Sequence, residues 1–133
     1  MTLRLIFILG ILTTLNSCCL FIKEESLGNN LYLSEYDNVE RRILYSKESC
    51  SGSGVEIVPM TVLEYDYDSK WIIAKSGTKG HESENEYWII RNDFDSEPTS
   101  EIIMSNTLGP MNFESFSKEL ANRQIKLKLK RIK

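Results

Sequence analysis

The stretch from Val62 to Ile90 constrains the fold most, because β-branched and aromatic residues recur in it in short runs. The runs are Val62–Tyr67, Lys70–Lys75 and Tyr87–Ile90. Polar residues separate them, and apolar runs broken by Asp, Ser and Gly are typical of antiparallel strands in a meander. The stretch also holds both tryptophans, Trp71 and Trp88. We therefore predict that a central hairpin and the strand after it form the core.

Further strand-like runs lie on both sides of this stretch: Leu31–Leu33, Arg41–Tyr45, Val55–Val58, Glu101–Met104 and Ile125–Lys130. Pro59 cannot donate a ladder hydrogen bond, so we expect the strand before it to end there or to lie at a sheet edge. One segment has a helical period, with Phe113, Phe116 and Leu120 on one face and Asn112 as its cap. The order predicts an α+β, mainly β fold: an antiparallel meander sheet of about six to eight strands, with one C-terminal helix followed by a final strand.

The N-terminus has the layout of a bacterial secretion signal. A short cationic head, Met1–Arg4, precedes the apolar run Leu5–Leu12, and a polar exit ends in a small residue directly before Cys18. An uncleaved membrane anchor over Leu5–Ile22 is the alternative, but polar residues fill its second half. We therefore expect residues 1–17 to be a cleaved signal peptide.

Leu15-Asn16-Ser17-Cys18 resembles the lipobox of bacterial lipoproteins, with Leu three residues before the cysteine and a small residue one before it. The resemblance implies cleavage before Cys18 and acylation of its thiol and its new amine, with fatty acids such as palmitate. Residues 18–27 would then be a short tether. Because a chain of 133 residues has room for one domain, residues 28–133 would form a single globular domain close to the membrane.

Two cysteines remain once Cys18 carries lipid. Cys19 and Cys50 are an even number in an oxidising compartment, where a disulfide between them would join the tether to the loop after the first hairpin. The alternative is that both are free thiols that act as small residues. The sequence leaves these two alternatives open.

The net charge of −3 is mild and argues against a general nucleic-acid binder. Basic residues are nevertheless concentrated at the C-terminus, where Lys126, Lys128 and Lys130 alternate with apolar residues. These lysines either meet anionic lipid head groups or protect an edge strand from aggregation. Edge protection is the simpler interpretation.

The sequence offers few groups for catalysis or for metal binding. His81 is the single histidine and lies in a polar loop, so a zinc site of cysteines and histidines is excluded by number. Asp66 and Asp68, and also Asp93 and Asp95, alternate as carboxylates do in calcium loops, but the glycine and distal glutamate of such loops are missing. Turn formation explains both pairs more simply. We expect no catalytic residue, no metal site and no cofactor.

The landmarks resemble a family of small bacterial lipoproteins that is classified only as a domain of unknown function. They are Leu27-Gly28, Leu31-Tyr32-Leu33, Ile57-Val58-Pro59, Lys70–Lys75, Tyr87–Ile90 and Gly109-Pro110. The resemblance implies secretion and a shared fold. It assigns no catalytic residue, since the landmarks consist of strand and turn residues.

These features together favour a lipid-anchored protein of the bacterial cell envelope, facing the extracytoplasmic side. We expect it to be non-catalytic and to act by contact with an envelope protein, in addition to its membrane attachment through lipid on Cys18. An inhibitor or immunity protein against an envelope hydrolase or toxin is the alternative function. The loops Ser46–Gly54 and Ser76–Glu86 would then be the contact loops.

Overall fold

The computed structural model describes residues 22–36, 40–50, 54–59, 61–78, 80–93 and 97–133. One antiparallel sheet contains four strands in this spatial order: β1 (Ile22–Gly28), β2 (Leu31–Tyr36), β3 (Glu40–Tyr45) and β4 (Val55–Val58). A second antiparallel sheet contains five strands: β5 (Val62–Tyr67), β6 (Trp71–Ser76), β7 (Glu86–Arg91), β8 (Thr107–Met111) and β9 (Lys130–Arg131). Their spatial order is β8-β7-β6-β5-β9. The helices are α1 (Ser100–Ser105) and α2 (Phe113–Asn122), and a 3-10 turn covers Glu82–Glu84.

The predicted mainly β, antiparallel fold is confirmed. The predicted central hairpin is β5–β6, and β7 continues the meander on the other side of β6. The division of the strands into two sheets was not predicted. It falls after β4, which is an edge strand of its sheet and ends directly before Pro59, as expected.

The main core lies between the two sheets. Leu31, Leu33 and Ile43 contribute from the four-stranded sheet, and Ile72, Trp88 and Ile90 contribute from the five-stranded sheet. Trp88 is 7 % exposed, and its indole Nε1 donates a hydrogen bond to Ser76 Oγ at 2.9 Å. The predicted burial of Trp88 is therefore confirmed, and its polar group is satisfied within the core.

The opposite face of the five-stranded sheet is covered by α2 and by the chain that follows it. Ile73 and Ile89 lie on this face, and Phe116 and Ile125 pack against them. Trp71 also lies here and is half-buried. Because neighbouring residues of a strand point to opposite faces, β6 and β7 are apolar on both sides.

Helix α2 begins where the sequence predicted. The side chain of Asn112 caps it and accepts a hydrogen bond from the backbone N–H of Ser115 at 2.8 Å. Phe116 is buried and Leu120 is half-buried, as expected. Phe113 differs, because it is 61 % exposed, although its ring lies beside that of Tyr87 with centroids 5.4 Å apart.

The prediction of a strand over Glu101–Met104 was wrong, since these residues belong to α1. Thr99 caps this helix, and its side chain accepts a hydrogen bond from the backbone N–H of Ile102 at 3.3 Å. A four-residue apolar run fits a strand and a short helix equally well, and the cap decides between them here. Ile103 is buried in the main core, whereas Ile102 and Met104 are exposed.

The predicted strand over Ile125–Lys130 is also largely wrong as regards pairing. Only Lys130 and Arg131 pair with β5, and residues 125–129 belong to no strand or helix. The predicted alternation of side chains is present, because Ile125, Leu127 and Leu129 pack in the second cluster while the lysines between them are exposed. The segment thus covers the sheet instead of extending it along most of its length.

Strand β8 was missed because Gly109 and Pro110 lie within it. It is an edge strand of the five-stranded sheet, where proline is tolerated. Gly109 has φ +137°, and a Cβ at this position would come within 2.7 Å of Trp88 Cε3. The glycine therefore lets β8 pack closely on the core tryptophan.

Strand β1 includes residues 22–27 of the predicted tether. It pairs with β2 from Ile22, opposite Tyr36, to Gly28, opposite Leu31. The predicted signal peptide, residues 1–17, and the cysteines Cys18 and Cys19 lie outside the described residues. In the described part of the chain, no helix is both long enough and apolar enough to span a membrane.

Candidate functional site

The inter-sheet cleft is an open cavity of about 460 Å³ between the β1–β2 side of one sheet and the β5–β9 side of the other. Its wall includes Lys23 to Glu25 from β1, Leu33 and Glu35 from β2, Tyr65 to Tyr67 from β5, and residues 130–133. The cleft therefore brings together the N-terminal strand and the C-terminal segment. It contains more charged side chains than the other described cavities.

Glu25 is held between two tyrosines across the cleft. Its carboxylate accepts a hydrogen bond from the hydroxyl of Tyr65 and a second, at 3.3 Å, from the hydroxyl of Tyr67. The two rings are stacked, with centroids 6.3 Å apart and planes 6° from parallel. Both tyrosines lie on one face of β5 because they are two residues apart. Burial raises the pKa of Tyr65 and of Tyr67, and the hydrogen bonds to Glu25 raise it further, so both phenols are protonated donors at neutral pH.

Asp66 also lines the cleft, and it holds the C-terminal segment in place. Its carboxylate accepts hydrogen bonds from Lys130 Nζ at 2.9 Å and from the backbone N–H of Lys128 at 3.2 Å. Burial acts to raise the pKa of Asp66, but the two lysine donors outweigh it and the pKa lies below its ordinary value. Asp66 is therefore a carboxylate with fixed protein partners.

Glu35 is the most deeply buried charge of the cleft, with 8 % exposure. It faces Arg41 across the β2–β3 ladder, and the guanidinium Nε lies 3.1 Å from its Oε2. A buried carboxylate without a partner would be strongly destabilising. The ion pair with Arg41 therefore allows Glu35 to stay ionised at this buried position. Glu24, at the rim, accepts a hydrogen bond from the backbone N–H of Cys50 at 2.6 Å, and its Oε1 is buried without a hydrogen-bond partner.

The cations of the cleft have fewer partners within the protein than its carboxylates do. Each of the four carboxylates accepts at least one hydrogen bond from the protein. Among the residues that the structure describes, Lys23, Arg131 and Lys133 have no ion-pair partner. The rim of the cleft therefore offers unpaired positive charge.

A second surface surrounds α1. An open groove of about 700 Å³ lies between residues 45–48 and residues 97–100, and the ion pair of Lys47 Nζ with Glu97 Oε1, at 2.9 Å, connects its two walls. Ser100 of α1 lines the groove, and Ile102 and Met104 of the same helix are 45 % and 56 % exposed. We call this groove, together with Ile102 and Met104, the α1 surface.

The residues singled out for chemistry do not come together. His81 is exposed, and its backbone N–H donates to Thr78 O at 3.0 Å next to the 3-10 turn. Asp68 Oδ1 accepts hydrogen bonds from the backbone N–H groups of Lys70 and Trp71, at 2.8 Å each, which is the predicted role in a turn. Within the described residues no three His, Cys, Asp or Glu side chains are placed to hold a metal ion.

Asp93 pairs with Arg91, whose Nη2 lies 2.9 Å from Asp93 Oδ2, and the hydrogen bond to Arg91 lowers the pKa of Asp93. Asp95, its predicted neighbour in a calcium loop, lies outside the described residues.

Cys50 is disulfide-bonded. Cys18 and Cys19 lie outside the described residues, so the pairing of Cys19 with Cys50 and the lipid on Cys18 stay predictions.

Sequence reasoning missed the inter-sheet cleft. The spacing of Tyr65 and Tyr67 indicates that they share a face of a strand, but their partner Glu25 lies forty positions earlier in the chain. The signal that was available is the Lys23-Glu24-Glu25 run, which has the charged side chains expected of an edge strand.

A family model described as "Protein of unknown function (DUF3997)" matches residues 28–133. The chain belongs to this family. The predicted resemblance to a family of unknown function is thereby confirmed. The match covers β2 to β9 and both helices, and the part of the cleft wall that β1 contributes precedes it. No curated protein and no solved structure matches the chain.

Proposed function

We propose that this member of the DUF3997 family is a lipid-anchored protein of the bacterial cell envelope. It faces the extracytoplasmic side and acts by protein–protein contact without catalysis. The α1 surface is the observation that carries the contact role. Ile102 and Met104 are exposed on one short helix, beside an open groove. Exposed apolar side chains in water are unfavourable, and a partner protein that covers them removes this cost.

The polar groups of the inter-sheet cleft support a non-catalytic role. A general base needs a carboxylate or imidazole whose lone pairs can reach the substrate. The oxygens of Glu25 accept hydrogen bonds from two tyrosine hydroxyls, and Asp66 accepts from Lys130 and Lys128. These contacts suit carboxylates that hold the sheets and the C-terminus in place.

The position of β1 supports attachment close to the membrane. Ile22 starts the strand four positions after Cys18. At roughly 3.6 Å per residue, these four residues span at most about 14 Å. If Cys18 carries lipid, the folded domain lies directly on the membrane surface, and its partner belongs to the same envelope.

Site-specific photo-crosslinking in intact cells tests the contact role. A photoreactive residue replaces Ile102 or Met104, and the same residue at Phe113, which is more exposed than either but lies at α2, is the matched control. We expect a discrete crosslinked protein from the two α1 positions and not from Phe113. Absence of any crosslinked protein at α1, in cells that contain the mature protein, would contradict the proposal.

The identity of the crosslinked protein separates the two functions. A structural component of the envelope would support the contact role. A hydrolase or toxin that is captured in equal amounts and loses activity with the purified protein would establish the alternative, an inhibitor or immunity protein.

A further inference from the structure

We infer that the rim of the inter-sheet cleft binds the phosphate groups of anionic phospholipids, and that this contact fixes the orientation of the domain on the membrane. The inference rests on the proposed lipid anchor. It goes further than the anchor because it names a second, non-covalent contact with the bilayer and the residues that make it: Lys23, Arg131 and Lys133.

The first reason is the balance of charges in the cleft. The carboxylates accept hydrogen bonds from tyrosine, arginine, lysine or backbone donors, as described above. Lys23, Arg131 and Lys133 line the same cleft and have no ion-pair partner in the described part of the chain. Apart from the buried Glu24 Oε1, the groups that the rim leaves without a partner are therefore cations, and phosphate is an anion that Lys and Arg both recognise.

The second reason is the distance from the anchor. Lys23 follows Cys18 by five positions, and five residues reach at most about 18 Å at roughly 3.6 Å per residue. A lipid on Cys18 therefore holds Lys23 within this distance of the bilayer in every conformation of the intervening chain. Arg131 and Lys133 are brought to the same place, because they line the cleft together with Lys23.

The third reason is the aromatic and apolar part of the rim. Tyr67 is 37 % exposed, and Ile132 is half-buried in the cleft wall. Amphipathic rings are enriched at the level of lipid head groups, where one end is apolar and the other is hydrated. The combination of unpaired cations with an exposed tyrosine suits the head-group region better than bulk water.

The net charge of the whole chain is −3 and becomes −4 once residues 1–17, with Arg4, are removed, but this charge does not oppose the contact at short range. At physiological ionic strength charges are screened over about 8 Å, so acidic residues on distant surfaces have little effect on a phosphate at the rim. The anchor also removes the entropic cost of reaching the membrane, because the rim is already held beside it.

Lysine footprinting of the mature, acylated protein tests the inference. The protein is placed in nanodiscs of phosphatidylcholine, or in nanodiscs that also contain phosphatidylglycerol, and its amines are acetylated in a time course read by mass spectrometry. Lys23 and Lys133 report on the rim. Lys118 and Lys126, which are also exposed but do not line the cleft, are controls within the same molecule.

We expect Lys23 and Lys133 to react about fivefold more slowly in the phosphatidylglycerol discs, the factor that corresponds to one basic residue near an anionic membrane surface. The protection should disappear at about 1 M salt, where screening acts within about 3 Å. Lys118 and Lys126 should react at the same rate in both discs. Equal rates for Lys23 and Lys133 in the two lipids would overturn the inference.

A pair of charge variants adds a second readout. Lys23→Gln with Arg131→Gln should restore most of the reactivity of Lys133 in the anionic discs, whereas Lys118→Gln with Lys126→Gln should leave Lys133 protected. Protection that is unchanged by the first pair would contradict a shared phosphate site. Protection of Lys23 and Lys133 in intact cells, but not in anionic discs, would assign the rim to an acidic protein instead.

The same mass spectra separate the two proposals. A mature protein without acyl groups would refute the lipid anchor, and this inference with it. An acylated protein whose Lys23 and Lys133 react at the same rate in both kinds of nanodisc would refute the inference and leave the anchor intact.

Discussion

Glu25 of β1 accepts a hydrogen bond from the hydroxyl of Tyr65 of β5, and this contact joins the edge strand of one sheet to an inner strand of the other. Tyr65 is partly buried and packs against the main core. The contact holds the two sheets together at the side where β1 and β9 are their edge strands. It also holds β1, the strand closest to the predicted lipidation site, against the rest of the domain.

We predict that Tyr65→Phe lowers the free energy of unfolding by about 1–2 kcal/mol, because a carboxylate loses a hydrogen-bond donor. Tyr67→Phe should cost less, since its hydroxyl lies 3.3 Å from Glu25. Urea denaturation measures both. A double-mutant cycle of Tyr65→Phe with Glu25→Gln should show coupling, and strictly additive losses would contradict the assigned contact.

The same contact should make stability sensitive to alkaline pH. The pKa of Tyr65 is raised in the folded protein above its ordinary value of 10.0, so folding favours the protonated phenol. The stabilisation is complete below pH 10 and is lost as the pH rises above that value. Because lysines also titrate there, the measured quantity is the difference between the wild type and Tyr65→Phe. That difference should shrink above pH 10, and a constant difference would contradict the prediction.

Asp66 should make the stability of the protein sensitive to acidic pH. Its pKa is lowered in the folded protein below the ordinary value of 3.8, mainly through Lys130 and Lys128 acting against burial. The stabilisation is complete above pH 4 and is lost as the pH falls through the folded pKa. Asp66→Asn should therefore flatten the stability curve below pH 4. Asp68→Asn is the control, because Asp68 accepts hydrogen bonds only from backbone groups of its own turn.

The two tryptophans should differ in their contribution to stability. Trp88 is 7 % exposed, lies in the main core and donates to Ser76, so Trp88→Ala should cost about 3–5 kcal/mol. Trp71 is half-buried in the second cluster, and Trp71→Ala should cost about 1–2 kcal/mol. Thermal unfolding distinguishes them, and equal losses would contradict the different burial.

The sequence predicted the elements whose local chemistry and tertiary position agree. The β5–β6 hairpin has alternating apolar residues and a turn that Asp68 caps, and α2 has both an apolar face and the cap Asn112. Helix α1 was mistaken for a strand because its apolar run is four residues long and its cap, Thr99, was not recognised. In that run the hydrophobic pattern alone does not distinguish the two structures.

The inter-sheet cleft could not be predicted because it depends on β1. In this strand Leu27 is the one buried residue among Ile22–Gly28, so the run lacks the apolar alternation of a half-buried strand. Its place is fixed by ladder hydrogen bonds to β2 and by the contacts of Glu25 with two tyrosines of a distant strand. Such contacts follow from the packing of the two sheets, which local sequence does not encode.

The lipid anchor gives the last prediction. Cys18→Ser should abolish labelling of the protein by a fatty-acid analogue, because the sulfur that accepts the lipid is absent, and the precursor should remain unprocessed or be mislocalised. Cys19→Ser is the matched control, since it alters the neighbouring cysteine and leaves the lipobox cysteine in place. It should keep full labelling. Unchanged labelling of Cys18→Ser would refute the anchor, and loss of labelling in Cys19→Ser alone would move the lipid to the neighbouring residue. In that second case Ile22 would follow the anchor by three positions, and β1 would lie still closer to the membrane.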